Sequence, residues 1–291
     1  MRTYHQVAGE REDRNEDMPT FDSVRTILDR ERRRDLPPVP RNIEDVRVEG
    51  EWTRTWNGLD FLSLVDNANG LLVFVTLSCL HILAEVSVVF IDGTFKTVPR
   101  PYTQLVTLHG RTIGNMFTLA YALMNGKRLE QYRRLLQHLK NIAVDARLRF
   151  SPRIVVSDFE VAIRRAFVEE FPGIRVRGCY FHLTQSLWRK IQELGLTNAY
   201  NHDNQTQRLI RKVFALGFLP VALVGLNFRI LRRSAQAQRV MALYPAVGNF
   251  FDYVEATYIN GEFPIPTWNV FGRNMSHRTT NVVEGKYTGL Q

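Results

Sequence analysis

Three carboxylates stand in settings that could support metal chemistry on a phosphodiester. Asp92 closes the apolar, β-branched run Val86 to Asp92, Asp158 follows the short run Ile154 to Val156, and Glu284 lies near the C-terminus. Cutting nucleic acid in this way needs acidic side chains that converge on one sheet edge. Two divalent ions there bridge the attacking and leaving oxygens. Mg²⁺ prefers hard carboxylate oxygens and keeps several waters, so a few Asp or Glu suffice. Each acid also has a plain structural alternative. Asp92-Gly93 is a common turn pair, Ser157 to Glu160 has capping-box spacing, and Asn281 to Glu284 repeats that N-cap-to-N3 spacing. Spacing alone leaves both readings open.

The elements that must position these acids can be read from periodicity. Val86–Asp92, Tyr102–His109 and Asn115–Leu123 read as three consecutive strands, the last two separated by the turn-like 110–114 segment. Leu129, Tyr132, Leu135, Leu136 and Leu139 fall at helical spacing. Ile154–Val156 is a short buried strand, Ser157–Glu170 a helix stopped by Phe171, Pro172 and Gly173, and Ile174–Cys179 a fifth strand. Leu183, Leu187, Ile191 and Leu194 then share one helical face that Gly195 closes. This order predicts an α/β protein of RNase H-like fold, a mixed five-stranded sheet flanked by helices. A mainly helical insertion should precede a last helix. The expected divisions are a charged arm and linker at 1–50, a core at 51–182, a basic helical insertion at 183–274 and a C-terminal core helix at 275–291.

Composition is that of a globular chain, 45% hydrophobic and 23% charged over 291 residues, which excludes disordered, collagen-like and disulfide-dense classes. Two cysteines, Cys79 and Cys179, favour a reducing compartment, nuclear or cytosolic. No apolar run follows the first charges, so a secretory signal is not expected. Leu71 to Phe90 is long enough to span a membrane, but His81 and Glu85 interrupt it; a buried helix followed by a strand fits better.

Charge is uneven along the chain. Residues 1–50 hold 10 Lys/Arg against 12 Asp/Glu, whereas residues 51–291 hold 28 against 17. A basic body suits a polyanion such as nucleic acid, through counterion release. Residues 127–177 and the helical stretch with Arg208, Arg211, Lys212, Arg229, Arg232 and Arg233 are the basic concentrations. They point to duplex DNA; Lys96, Arg189, Lys190 and Arg278 are further candidate contacts.

Several motifs occur together in one order: Phe90-Ile91-Asp92-Gly93-Thr94-Phe95-Lys96 with Pro99, Ser157-Asp158-Phe159-Glu160, Gly178-Cys179-Tyr180-Phe181-His182 with Gln185, Trp268-Asn269, and Arg278-Thr279-Thr280-Asn281 with Glu284. Over about residues 20–291 the chain resembles the transposase domain of Mutator-like elements.

The resemblance implies a DDE transposase in which Asp92, Asp158 and Glu284 form the acidic triad holding Mg²⁺ or Mn²⁺. A metal-activated water would cut DNA at the element's end, and the freed 3′ hydroxyl would attack target DNA without a covalent enzyme intermediate. It further implies a double-stranded DNA partner, a homo-oligomer when active, and a nuclear location. Cys179 and His182 match the family's C-x-x-H motif. A structural zinc would need four ligands, and Cys79 lies 100 residues upstream, so zinc is disfavoured; an accessory role beside the metals or the DNA backbone fits better. Thr280 stands where the family usually has Asn, and Gln291 follows soon after Glu284. A truncated or domesticated copy is therefore an expectation, with a non-catalytic DNA-binding regulator or an RNase H-like nuclease as the alternatives.

Overall fold

A computed structural model describes residues 21–34, 39–95, 98–112 and 114–273. The chain divides into two compact units, Met1–Asn42 and Ile43–Gln291. In the first, the described element is helix α1 (Phe21–Arg34). The rest concerns the second unit alone.

That unit is built on one mixed sheet of seven strands in the order β1-β2-β5-β4-β3-β6-β7. The strands are β1 (Leu62–Asp66), β2 (Leu71–Phe74), β3 (Val88–Thr94), β4 (Gln104–Thr112), β5 (Asn115–Met124), β6 (Ile154–Ser157) and β7 (Arg175–Gly178). β3, β4 and β5 form an antiparallel meander, while β6 and β7 lie parallel beside β3. The expected class is therefore α/β, but with seven strands instead of five. The additional pair is the β1–β2 hairpin, which pairs onto β5 through β2. It forms because Leu64 to Asp66 and Leu71 to Val73 face each other across a turn that ends at Gly70, whose φ of 60° suits glycine.

Period-two alternation sorts the sheet's two faces. Leu71, Val73, Val89, Ile91, Val155 and Val176 point to the face covered by α2 (Leu77–Glu85), α3 (Leu129–Asp145) and α4 (Val161–Glu170). Tyr132, Leu135, Leu136 and Leu139 of α3 and Phe167 of α4 are fully buried there. Truncating any of these would cost about 2–5 kcal/mol. Phe90, Val156, Met116 and Cys179 form a smaller cluster on the opposite face.

After β7 the chain becomes helical, with α5 (Tyr180–Glu193), α6 (Thr197–His202), α7 (Asn204–Ala215), α8 (Val221–Arg233), α9 (Ala235–Leu243), α10 (Ala246–Val254) and α11 (Ile265–Trp268). Leu183, Leu187, Ile191, Phe228, Phe250 and Trp268 close a second core among them. No described helix is long and apolar enough to cross a membrane, and the 71–90 stretch resolves into β2, α2 and the start of β3. The expected terminal helix at 275–291, with Glu284 and Arg278, lies outside the described residues, as does Lys96.

Candidate active site

Asp92 is the fifth residue of β3, paired with Thr107 across to β4, so it does not form the Asp-Gly turn that its sequence allowed. Its side chain shares a face with Phe90, the face opposite α2–α4. Asp158 follows β6 directly. Because β6 is parallel to β3, with Phe90 opposite Val156, both acids emerge at the same end of adjacent strands. The capping-box alternative also fails. Helix α4 begins at Val161 rather than at Asp158, and it is the Asp158 Oδ1 that accepts from the Glu160 N–H at 3.0 Å. Ser157 Oγ donates locally to the Asp158 carbonyl.

The third contributor arrives on α5. Cys179 is the residue before that helix and His182 lies in its first turn, which places His182 Nε2 3.6 Å from Asp92 Oδ1. Asp92 is only 7% exposed. Burial pushes its carboxyl up, the His182 charge opposes this, and the nearby Asp158 charge pushes it up again, giving a net rise. His182 is held up at about 9: burial alone would lower it, but the Cys179 sulfur, then Asp92, then Asp158 outweigh that effect. The result is a buried aspartate beside a half-buried one, with the His182 imidazole against the buried member.

Two packing contacts fix this geometry. Phe159, next to Asp158, sits edge-on to Tyr258 and Phe263 of the helical region. Its ring also lies so close to Gly178 that a Cβ there would meet the ring at 2.6 Å, so only glycine fits. Arg273 is buried and donates to the carbonyls of Gly178, at 3.1 Å, and Thr267, at 2.6 Å. It ties the last described residue to the strand end that carries Cys179.

A bridge that the sequence does not signal lies beside the pair. Lys127, in the turn between β5 and α3, pairs with Glu160 at 3.3 Å and stands 4.1 Å over the Phe95 ring. Lys127 thereby links the segments just after the two aspartates. Trp268 and Asn269 prove to be anchors: the indole N–H donates to the Tyr258 carbonyl and the Asn269 amide to that of Leu219, each at 2.8 Å.

The anticipated DNA contacts divide by their surroundings. Arg189, Arg208, Arg211, Lys212 and Arg233 are exposed. Arg232 is held by Asp252 and Glu255, and Lys190 by Glu193 at 2.7 Å, so much of their charge is neutralised internally.

The pair offers hard carboxylate oxygens, one of them buried, a donor type that suits a divalent cation. Among the described residues no group of three His, Cys, Asp or Glu is arranged as a metal site. Glu284, the third acid expected from the sequence, lies outside them.

Residues 88–186 match the MULE transposase domain family. The match runs from the start of β3 into α5 and includes Asp92, Asp158, Cys179 and His182, about a third of the chain. The Trp268-Asn269 and Glu284 motifs fall beyond it, so it is narrower than the 20–291 span of the motif resemblance. No curated protein matches the chain.

Proposed function

We propose that the protein is a DDE-type DNA transposase, with Asp92, Asp158 and Glu284 as the acidic triad. The observation that carries this reading is the emergence of Asp92 and Asp158 at one end of adjacent parallel strands, within the segment similar to the MULE transposase domain. Strand order supports it too: β5-β4-β3-β6-β7 is the meander-plus-parallel arrangement of an RNase H-like core, the β1–β2 hairpin being an addition. In this reading helices α5–α11 are the insertion that precedes the third acid. Arg273 holds the chain at the carboxylate end of the sheet. Glu284, eleven residues on, is within reach, since an extended chain covers about 3.3–3.6 Å per residue.

The acids would hold Mg²⁺ or Mn²⁺, which when bound supplies charge neutralisation at the scissile phosphate and a more acidic water. Asp92 and Asp158 present oxygens from the same end of two adjacent interior strands, so little reorganisation is needed at the reacting centre. His182, charged beside Asp92, offsets part of the pair's repulsion and fixes the Asp92 rotamer. Cys179 Sγ in turn orients the imidazole. Duplex DNA is the substrate, both as element end and as target, and the chain would act as a homo-oligomer in the nucleus.

Strand transfer tests the reading. Wild-type protein with Mg²⁺ should join a pre-cleaved terminal-repeat duplex to a target plasmid, and Asp92→Asn or Asp158→Asn should abolish joining while leaving DNA binding intact. Binding without cutting or joining by the wild type would favour a DNA-binding regulator. Cutting without joining would favour an RNase H-like nuclease.

A further inference from the structure

The carboxylate pair occupies one end of β6. At the other end lies a polar cleft of about 600 Å³ lined by Arg149, Ser151, Arg153, Gly173 and Arg175. Arg153 precedes β6 and Arg175 opens β7, and the two strands are stitched there by the Arg175 N–H donating to the Arg153 carbonyl at 3.0 Å. All three arginines are exposed. Among the described residues no carboxylate lies within ion-pairing distance of them, unlike Arg232 or Lys190. At ~3.3 Å per residue, the five residues from Arg153 to Asp158 set this cleft roughly 16–17 Å from Asp158.

The cleft is not isolated from the acids. Register pairs Ile154 with Arg175 and Val156 with Arg177, which puts both arginines on the Phe90 and Asp92 face of the sheet. They stand two residues, about 6.6 Å, apart on the outermost strand. Arg177 is pushed below its ordinary range by burial and then by the Arg175 charge. Arg273 is pushed down to about 10, by burial and then by Arg177. Arg175 and Arg177 thus form a row of neighbouring cations on the outermost strand, with Arg273 buried beyond it against the Gly178 carbonyl. It leads from the cleft to Gly178, beside Cys179 and His182. The side chains of exposed Arg175 and half-buried Arg177 leave this strip positive, and a polyanion laid along the two would be attracted to it.

We propose that the Arg149–Arg153–Arg175 cleft, continued by Arg177 along β7, is a phosphate-backbone site that holds duplex DNA flanking the reacting bond. The identity of the polyanion as duplex DNA rests on the transposase reading. The guanidinium groups suit this role because each can take a phosphate through two N–H donors. Duplex DNA supplies a negative charge every ~1.7 Å of axis, enough to occupy the cleft and the row together.

The test uses the full chain and a labelled duplex of arbitrary sequence, titrated over a range of salt. Arg149→Ala/Arg153→Ala/Arg175→Ala removes three exposed side chains, and circular dichroism checks that it folds. A second variant with the same charge loss at scattered exposed sites, Arg25→Ala/Arg41→Ala/Arg239→Ala, controls for net charge. The cleft variant should bind about ten-fold more weakly at low salt. Its plot of log K against log salt should be shallower by roughly two to three, about 0.9 for each phosphate that is no longer neutralised. Wild-type affinity and slope in the cleft variant, or losses no greater than those of the scattered variant, would overturn the proposal. So would tight pyrophosphate binding that depends on the cleft while duplex binding does not, which would make it a small-anion site. Mn²⁺-dependent nicking is followed in the same samples. If the wild type never nicks but the cleft variant still loses duplex binding, the transposase reading fails and the phosphate-backbone site stands.

Discussion

His182 Nε2 stands 3.6 Å from Asp92 Oδ1, and the imidazole belongs to the first turn of the helix that follows the sheet's last strand. The contact ties two elements far apart in sequence and couples the charges of the two groups. Burial would push the His182 ring down, but the Cys179 sulfur, Asp92 and Asp158 raise it from 6.5 to about 9. A group raised on folding contributes stability that is complete below its unfolded value and fades as pH climbs through the folded one. In metal-free protein the loss should therefore fall between pH 6.5 and about 9. Urea midpoints across that window should decline, and NMR titration of the imidazole should place its midpoint well above that of a free histidine. Asp92→Asn should move this midpoint down. An unchanged midpoint would show that the Asp92 contact carries no charge coupling.

Gly178→Ala should destabilise the protein by about 1–3 kcal/mol, because the new methyl meets the Phe159 ring. The ring must move, and Asp158 is the adjacent residue. DNA cutting should therefore fall further than the drop in stability explains. Adding Phe159→Leu, which empties the contact, should recover most of the melting temperature. If Gly178→Ala melts like wild type, the close approach does not constrain this site.

Glu170, at the end of α4, is buried beneath Arg133, Gln137 and Lys140 of α3. Burial raises its carboxyl, but the hydrogen bonds from Gln137, Arg133 and Lys140 outweigh burial and hold it below 4.5. The stability it contributes is present above the unfolded carboxylate value and is lost as pH falls through the folded one. Glu170→Gln should cost about 1–2 kcal/mol near neutrality and flatten the acid limb of a stability-against-pH curve below 4.5. An acid limb of wild-type steepness in the variant would contradict this.

Arg147 ends the α3 segment with φ of 58°, and its N–H donates to the Val144 carbonyl at 2.8 Å. Left-handed backbone costs a side-chain-bearing residue about 1–2 kcal/mol, part of which glycine gives back through its own chain entropy. Arg147→Gly should thus raise stability by about 0.5–1 kcal/mol, seen as a higher melting temperature. A lower one would mean that the arginine side chain contributes more than its backbone costs.

The two aspartates are legible in the sequence because Asp92 closes one β-branched run and Asp158 follows another, and buried strands leave that mark whatever surrounds them. Helix α3 is legible from its apolar spacing for the same reason. The β1–β2 hairpin is not, since Leu71 to Phe74 merges into a longer apolar stretch. The signal that could have found it is Asn69-Gly70, a turn pair between Val65 and Leu71. Ser157 to Glu160 misleads because capping-box spacing fits a helix start three residues too early; the Asp158 side chain takes the Glu160 N–H instead. Phe159 against Gly178, Lys127 against Glu160, and Arg273 against Gly178 join segments with no common periodicity. Tertiary packing alone brings those pairs together, so nothing local announces them.

If Asp92 and Asp158 together seat a divalent cation, Mn²⁺ calorimetry on the full chain will register it. Wild-type protein should bind Mn²⁺ with an affinity that Asp92→Asn and Asp158→Asn each reduce at least about ten-fold, the effect of losing roughly 1.4 kcal/mol or more. His182→Gln should retain binding, because it removes a positive charge from the site and not an oxygen. If Asp92→Asn and Asp158→Asn bind Mn²⁺ as the wild type does, the pair is not the metal seat and the account fails.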